Sequence, residues 1–131
     1  MIVVDASALL EVLLRTPAAA AVEARLFNEP RQTLHAPHLL DVEVAQVLRR
    51  YAATGEIDEQ RGSMALADLR DFPIRRYPHD FLLSRVWSLR DNFTAYDAVY
   101  VALAESLDAR LLTRDRRLAV AVSRHLEVRL A

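Results

Sequence analysis

Neither cysteine nor lysine occurs anywhere in this chain. Without cysteine there is no disulfide framework, no thiolate zinc site and no sulfur nucleophile. Without lysine, Schiff-base chemistry is excluded. A Walker-type phosphate loop is excluded too, because it needs its lysine and its glycines, and only Gly55 and Gly62 exist. No apolar run approaches the roughly 18 residues of a membrane span, and no basic segment with a signal-peptide core opens the chain. The expectation is a soluble, cytoplasmic protein with no membrane contact. A dominant charge is also missing. With a formal net charge of −1, the molecule as a whole is not steered toward nucleic acid, so any such steering must come from local patches.

What the chain does have is a large apolar fraction, 53% of 131 residues, which argues against disorder and for one domain over residues 1–131. All 17 basic residues are arginine, clustered at Arg49–Arg50, Arg75–Arg76 and Arg114, Arg116 and Arg117. Arginine makes bidentate contacts to phosphate and does not titrate as a base. Short apolar strands alternate with helical stretches, the pattern of an α/β fold with a parallel sheet covered on both faces. Strands are predicted at Ile2–Asp5, Leu34–Ala36, Ile74–Tyr77, Arg110–Thr113 and Glu127–Leu130. Helices are predicted at Ala6–Arg15, Ala18–Asn28, His38–Ala53, Asp58–Phe72, Asp80–Arg90, Ala95–Leu107 and Arg116–Ser123. The clearest amphipathic stripe is Leu40, Val44, Val47, Leu48 and Tyr51.

Four acids stand out against this background. Asp5 ends the first apolar strand, Asp97 is the only charge between Ala95 and Ala104, and Asp115 follows the strand Arg110–Thr113. Glu43 lies at the edge of the apolar stripe of its helix. Each aspartate also has a local explanation, Asp5 and Asp115 as helix N-caps and Asp97 three residues after Thr94 in a near capping box. Glu43 is harder to place locally, since Gln46 and Val47 offer no basic partner one turn on. Ligands of open α/β sheets bind beyond the carboxyl ends of the strands, where Asp5 and Asp115 fall. Two like charges about 5 Å apart repel by roughly 3 kcal/mol at an effective dielectric near 20. A converged set of acids therefore calls for a cation, and an all-oxygen site suits Mg²⁺ or Mn²⁺.

The other chemistry-bearing residues compete poorly. His35 and His38 flank Pro37 without a third ligand of the same kind nearby, and His79 and His125 read as surface residues or caps. Trp87, Tyr96 and Tyr100 fall at helical positions and read as core rather than as base-stacking platforms.

Four segments, in order and at these separations, resemble the PIN-domain ribonucleases, and most closely the VapC toxins of bacterial toxin–antitoxin pairs. They are Ile2-Val3-Val4-Asp5-Ala6-Ser7-Ala8-Leu9, the helix around Asp41-Val42-Glu43-Val44, the stretch Asn92 to Glu105 around Asp97, and Leu111-Leu112-Thr113-Arg114-Asp115-Arg116-Arg117-Leu118-Ala119. The resemblance implies a PIN-like three-layer α/β fold, a short and mainly parallel central sheet flanked by helices. It implies a metal site of Asp5, Glu43, Asp97 and Asp115 supported by the hydroxyls of Ser7 and Thr113. Some relatives carry a further acid or amide two positions after the fourth acid, where this chain has Arg117, which bears on a second metal. The implied activity is Mg²⁺-dependent endoribonuclease cleavage by metal-activated water, with Arg114, Arg116 and Arg117 as candidate contacts to RNA phosphates. The implied partners are a small antitoxin and a second copy of the chain in a homodimer, with larger assemblies when antitoxin binds. Two other classes compete. A PIN-fold module that docks RNA or protein without catalysis calls for a broken acidic set, and a phosphoacceptor signalling domain calls for a lysine.

Overall fold

In the computed structural model, which describes residues 1–125 and 127–131, four parallel strands form one sheet in the order β3-β2-β1-β4. They are β1 (Ile2–Val4), β2 (Leu34–Pro37), β3 (Ile74–Tyr77) and β4 (Arg110–Leu112). The central strand β1 pairs Ile2 with Leu34 on one side and with Arg110 on the other. Its three residues are all buried, as a parallel strand covered on both faces requires. Helices α1 (Ala6–Leu13), α2 (Ala19–Leu26), α3 (Leu39–Ala53) and α4 (Glu59–Asp71) fill the first half of the chain. After β3 come a short 3₁₀ turn (Asp80–Leu82), α5 (Leu83–Ser88), α6 (Ala95–Leu107) and, after β4, α7 (Arg116–Ser123).

Helix α6 is the centrepiece of the packing. Every residue from Ala98 to Ala104 is buried, and the helix contacts β1, β2 and β4 together with α5. That explains why its sequence is apolar all round rather than striped. Helix α1 packs against α2, α3 and α4. The stripe predicted on α3 is partly confirmed. Leu40, Val44 and Leu48 are buried, whereas Val47 and Tyr51 are only half-buried.

Capping sets the helix boundaries. The Asp58 side chain accepts from the Arg61 amide at 2.6 Å to start α4, and Gly55, with φ of +78°, follows the end of α3. Helix α1 stops two residues earlier than its pattern predicts, because Arg15 takes a left-handed conformation (φ 53°) ahead of Pro17. The helix expected at Asp80–Arg90 splits into a 3₁₀ turn and the six-residue α5. The strand expected at Glu127–Leu130 reduces to a single parallel bridge between Leu111 and Leu130 at the β4 edge. There the Leu111 amide donates to Arg129 and the Ala131 amide to Leu111.

Candidate metal centre

The four acids come from four different elements, and the parallel order of the sheet brings them to its carboxyl rim. Asp5 leaves β1, its amide held by the Leu112 carbonyl of β4 at 3.2 Å. Its side chain is buried and caps α1, with Oδ1 accepting from the Ala8 amide at 3.1 Å and the Ser7 hydroxyl at 2.7 Å. Thr113, at the end of β4, donates its hydroxyl to Oδ2. Both hydroxyls are used twice. Ser7 accepts from the Arg114 amide at 2.8 Å, and Thr113 accepts from the Asp115 amide at 3.0 Å. Ser7 and Thr113 thus bind the β4–α7 turn to the β1–α1 turn and orient the carboxylate between them. Asp115 caps α7 through Arg117 and Leu118, and Thr94 caps α6 by accepting from the Asp97 amide at 3.2 Å. The local capping roles and the gathering of the acids are therefore not alternatives. Capping fixes the backbone that aims the carboxylates.

Glu43, on the second turn of α3, faces the same rim. The Tyr100 hydroxyl of α6 donates to its Oε1 at 2.6 Å. Tyr100 had read as a core residue, and it is one, at 2% exposure, but its hydroxyl also serves the acidic rim. The signal in the sequence was its position one turn after Asp97, on the same face of α6.

The electrostatics tie the set together. Burial pushes Asp5 above the ordinary carboxylate range, outweighing the hydrogen bonds from Thr113, Ser7 and Ala8, and Asp97 adds to the rise. Glu43 is raised by burial and further by Asp5 and Asp97, against the hydrogen bond from Tyr100. Asp97 is raised by burial and then by Asp115. Burial, Glu43, Asp5 and Asp97 together keep the Tyr100 phenol protonated. Among the described residues, no arginine or histidine lies within 4.0 Å of any of these four carboxylates. Three half-buried or buried acids, each raised by burial and by a neighbouring carboxylate and lacking a cationic partner, are costly as they stand. Asp5 Oδ2 accepts one hydrogen bond and keeps lone-pair capacity. An all-oxygen set with unpaired negative charge fits a hard divalent cation.

The tightest metal-capable triad lies elsewhere. Among the described residues, only Glu105, His125 and Glu127 bring ligand atoms all within 4.8 Å of one another, so the four rim acids are more widely spread. That second cluster is already paired. Arg85 binds Glu105 at 2.7 Å and 2.9 Å and Glu127 at 3.5 Å, and His125 bonds Glu105. Although burial opposes it, hydrogen bonds from Arg85 and His125 hold Glu105 below the usual carboxylate range. His125, read from sequence as a surface residue or cap, belongs to this network.

The remaining candidates sort as follows. His35 is buried with both ring nitrogens engaged, at 2.7 Å from Thr33 and 2.7 Å from Tyr77, which leaves none for a metal. Trp87 and Tyr96 are not core. They are 69% and 64% exposed, Trp87 under the guanidinium of Arg90 and Tyr96 in the first turn of α6. The three arginines near Asp115 part company. Arg114 lines a groove of about 700 Å³ between α1 and α3, together with Ser7, Glu43 and Tyr96. Arg116 and Arg117 line a separate depression on α7.

A profile of the PIN domain matches residues 2–122, and the chain belongs to this family. Its sequence is 45% identical to Ribonuclease VapC1 of Mycobacterium tuberculosis, over 98% of this chain and 96% of that protein. Among solved structures it is similar in fold to M. tuberculosis VapC20, a toxin that cleaves the sarcin–ricin loop. That match has TM-score 0.71 at 15% identity and covers 92% of this chain and 95% of the other. A toxin–antitoxin complex from Klebsiella pneumoniae shares the fold as well, with TM-score 0.62 at 20% identity over 88% of this chain and 87% of that one.

Proposed function

We propose that residues 1–131 act as one nuclease unit, the endoribonuclease of a toxin–antitoxin pair, and that Asp5, Glu43, Asp97 and Asp115 form its metal site. The observation that carries this reading is the gathering of buried and half-buried acids, paired with no cationic side chain among the described residues, at the carboxyl rim of a PIN fold. Its relatives are ribonucleases named VapC.

In this reading Asp5, Asp97 and Asp115 supply the ligand oxygens. A divalent cation bound there, Mg²⁺ or Mn²⁺, supplies Lewis-acid stabilisation of the phosphate and a water acidic enough to attack at neutral pH. Glu43, with its raised proton affinity, accepts a proton from the attacking water or helps hold a second ion. Tyr100 fixes the Glu43 carboxylate by donating to Oε1. Ser7 and Thr113 orient Asp5, as outer hydrogen bonds orient metal-binding carboxylates elsewhere. Arg114, in the groove beside Ser7 and Glu43, contacts a substrate phosphate, and Arg116 and Arg117 do so from α7.

The same groove is lined by Leu10, Leu39, Val42 and Val47, with Val42 68% exposed. An antitoxin segment laid along α1 and α3 would cover these residues and reach the acids with an arginine or other side chain. A homodimer in the cytoplasm, joined into larger assemblies by antitoxin, completes the proposal. No described helix is long and apolar enough to cross a membrane.

Incubating the purified chain with RNA and Mg²⁺ or Mn²⁺ tests the activity. Cleavage that EDTA stops and that Asp5→Asn and Asp97→Asn abolish is the expected result. Cleavage undiminished in either variant would remove that residue from the site. Co-expression with the neighbouring reading frame tests the partner, and a freely active chain that is harmless when expressed alone would count against it.

A further inference from the structure

The outward face of α7 carries Arg116 and Arg117, and its C-cap residue Arg124 extends that face. At 100° per residue they fall within about 100° of arc, opposite the buried Leu118 and Val122. Among the described residues, no carboxylate lies within 4.0 Å of any of these three guanidinium groups. Three unpaired arginines on one helix face are notable in a chain of net charge −1. Between them lies Val120, 50% exposed, on the floor of a depression of about 420 Å³ that the three arginines and Ala121 complete. Arg124 and Ala121 also border a neighbouring cavity of about 240 Å³ with Asn92, Phe93 and His125, so the two recesses share a wall. The helix begins at Asp115, in the acidic rim, and runs about 12 Å away from it. Its N-terminal amides at Arg117 and Leu118 are already taken by Asp115, so attraction for an anion on this face comes from the guanidinium groups.

We propose that Arg116, Arg117 and Arg124 form a phosphate track that holds single-stranded RNA beyond the acidic rim, with Val120 and Asn92 beneath the strand. This rests on the ribonuclease reading and extends it. The RNA leaves the rim along α7 rather than along the groove between α1 and α3, so RNA and a groove-bound partner overlap at the rim and at Arg114 but not along α7.

The test is the salt dependence of binding, measured in EDTA with a fluorescent single-stranded RNA of about 20 nucleotides so that cleavage does not intervene. Each phosphate contact on a single strand contributes about 0.7 to the slope of log K against log salt. Arg117→Ala with Arg124→Ala should make the slope shallower by about 1.4, and Arg124→Ala alone by about 0.7. Arg31→Ala, an exposed arginine at the opposite end of β2, should leave it unchanged. An unchanged slope in the double variant overturns the track, whether or not the protein cleaves. A loss on duplex DNA with none on single-stranded RNA also overturns it. Parallel digestion with Mn²⁺ separates the two readings. Slope loss without any cleavage by the wild type supports the track and sinks the nuclease.

Discussion

The molecule holds two gatherings of acid, and they are built in opposite ways. At the rim, Asp5, Glu43 and Asp97 are raised chiefly by burial, with Asp97 adding to Asp5, Asp5 and Asp97 to Glu43, and Asp115 to Asp97, and among the described residues neither arginine nor histidine pairs with them. On the α5–α6 side, Glu105 is lowered because Arg85 and His125 bond it, and Arg85 itself is raised by Glu105 and Glu127. The second cluster is more compact and has better ligand spacing, yet its charge is already met by the protein. Proximity of carboxylates alone is therefore a poor guide to a metal site. The more telling feature is negative charge that the protein leaves unmet where its strands end.

The largest effect expected from this contrast is at Asp97. Asp97→Asn should cost the RNA cleavage rate about 10³-fold or more, since a metal ligand contributes several kcal/mol to the transition state. The same variant should raise the melting temperature of the metal-free protein at neutral pH, because one of the repelling charges is gone. Activity assays and thermal scans on one preparation check both, and a variant that is inactive only because it is unfolded would show in the scan. Next is Tyr100→Phe, which leaves Glu43 without its donor. As an outer hydrogen bond to a ligand it should lower activity or Mn²⁺ affinity by about 10–100-fold. A ring as well buried as the original keeps the fold, so unchanged kinetics would show that Glu43 needs no positioning.

Smaller effects belong to the paired cluster. Arg85→Ala should destabilise the fold by about 1–2 kcal/mol, discounted for the partial exposure of Arg85, and should leave the response to metal intact. Chemical denaturation with and without Mn²⁺ measures this, and a lost metal response would mean that the two clusters are not independent. The weakest expected effect is in pH. Raised carboxylate values mean that the rim groups hold protons longer in the folded chain than in the unfolded one. Their contribution is fully present below the unfolded values, about 4, and is lost as pH rises through the folded ones. Glu105, being lowered, contributes above its unfolded value and loses that contribution as the pH falls. The metal-free protein should therefore lose rim stability as the pH rises from about 4 through the raised folded values, and saturating Mn²⁺ should restore it. A melting temperature that rises over that interval without metal would assign the dominant role to the paired cluster.

Much of this was legible in the sequence, and for identifiable reasons. Strand Ile74–Tyr77 and helix Ala95–Leu107 matched their predicted spans, the helix because its apolar run and its Thr94 cap act locally. Asp5, Asp97 and Asp115 were readable because each sits at a strand end or in a helix start. The partners of Glu43 and Glu105 were not. Tyr100 lies 57 residues from Glu43, and Arg85 and His125 each lie 20 from Glu105, so only the fold brings them together. Trp87 and Tyr96 went the other way. A six-residue helix and a first turn carry too little periodicity to say which side faces water, and both rings proved exposed. The final strand failed because one bridge at a sheet edge is all the pairing that Leu130 makes.

Calorimetric titration of Mn²⁺ into the wild type, Asp97→Asn and Glu105→Gln most directly tests whether the unmet acids are the metal site. The expected result is a site that disappears in Asp97→Asn and survives in Glu105→Gln. Binding that survives in Asp97→Asn and vanishes in Glu105→Gln would place the metal in the paired cluster and contradict the account.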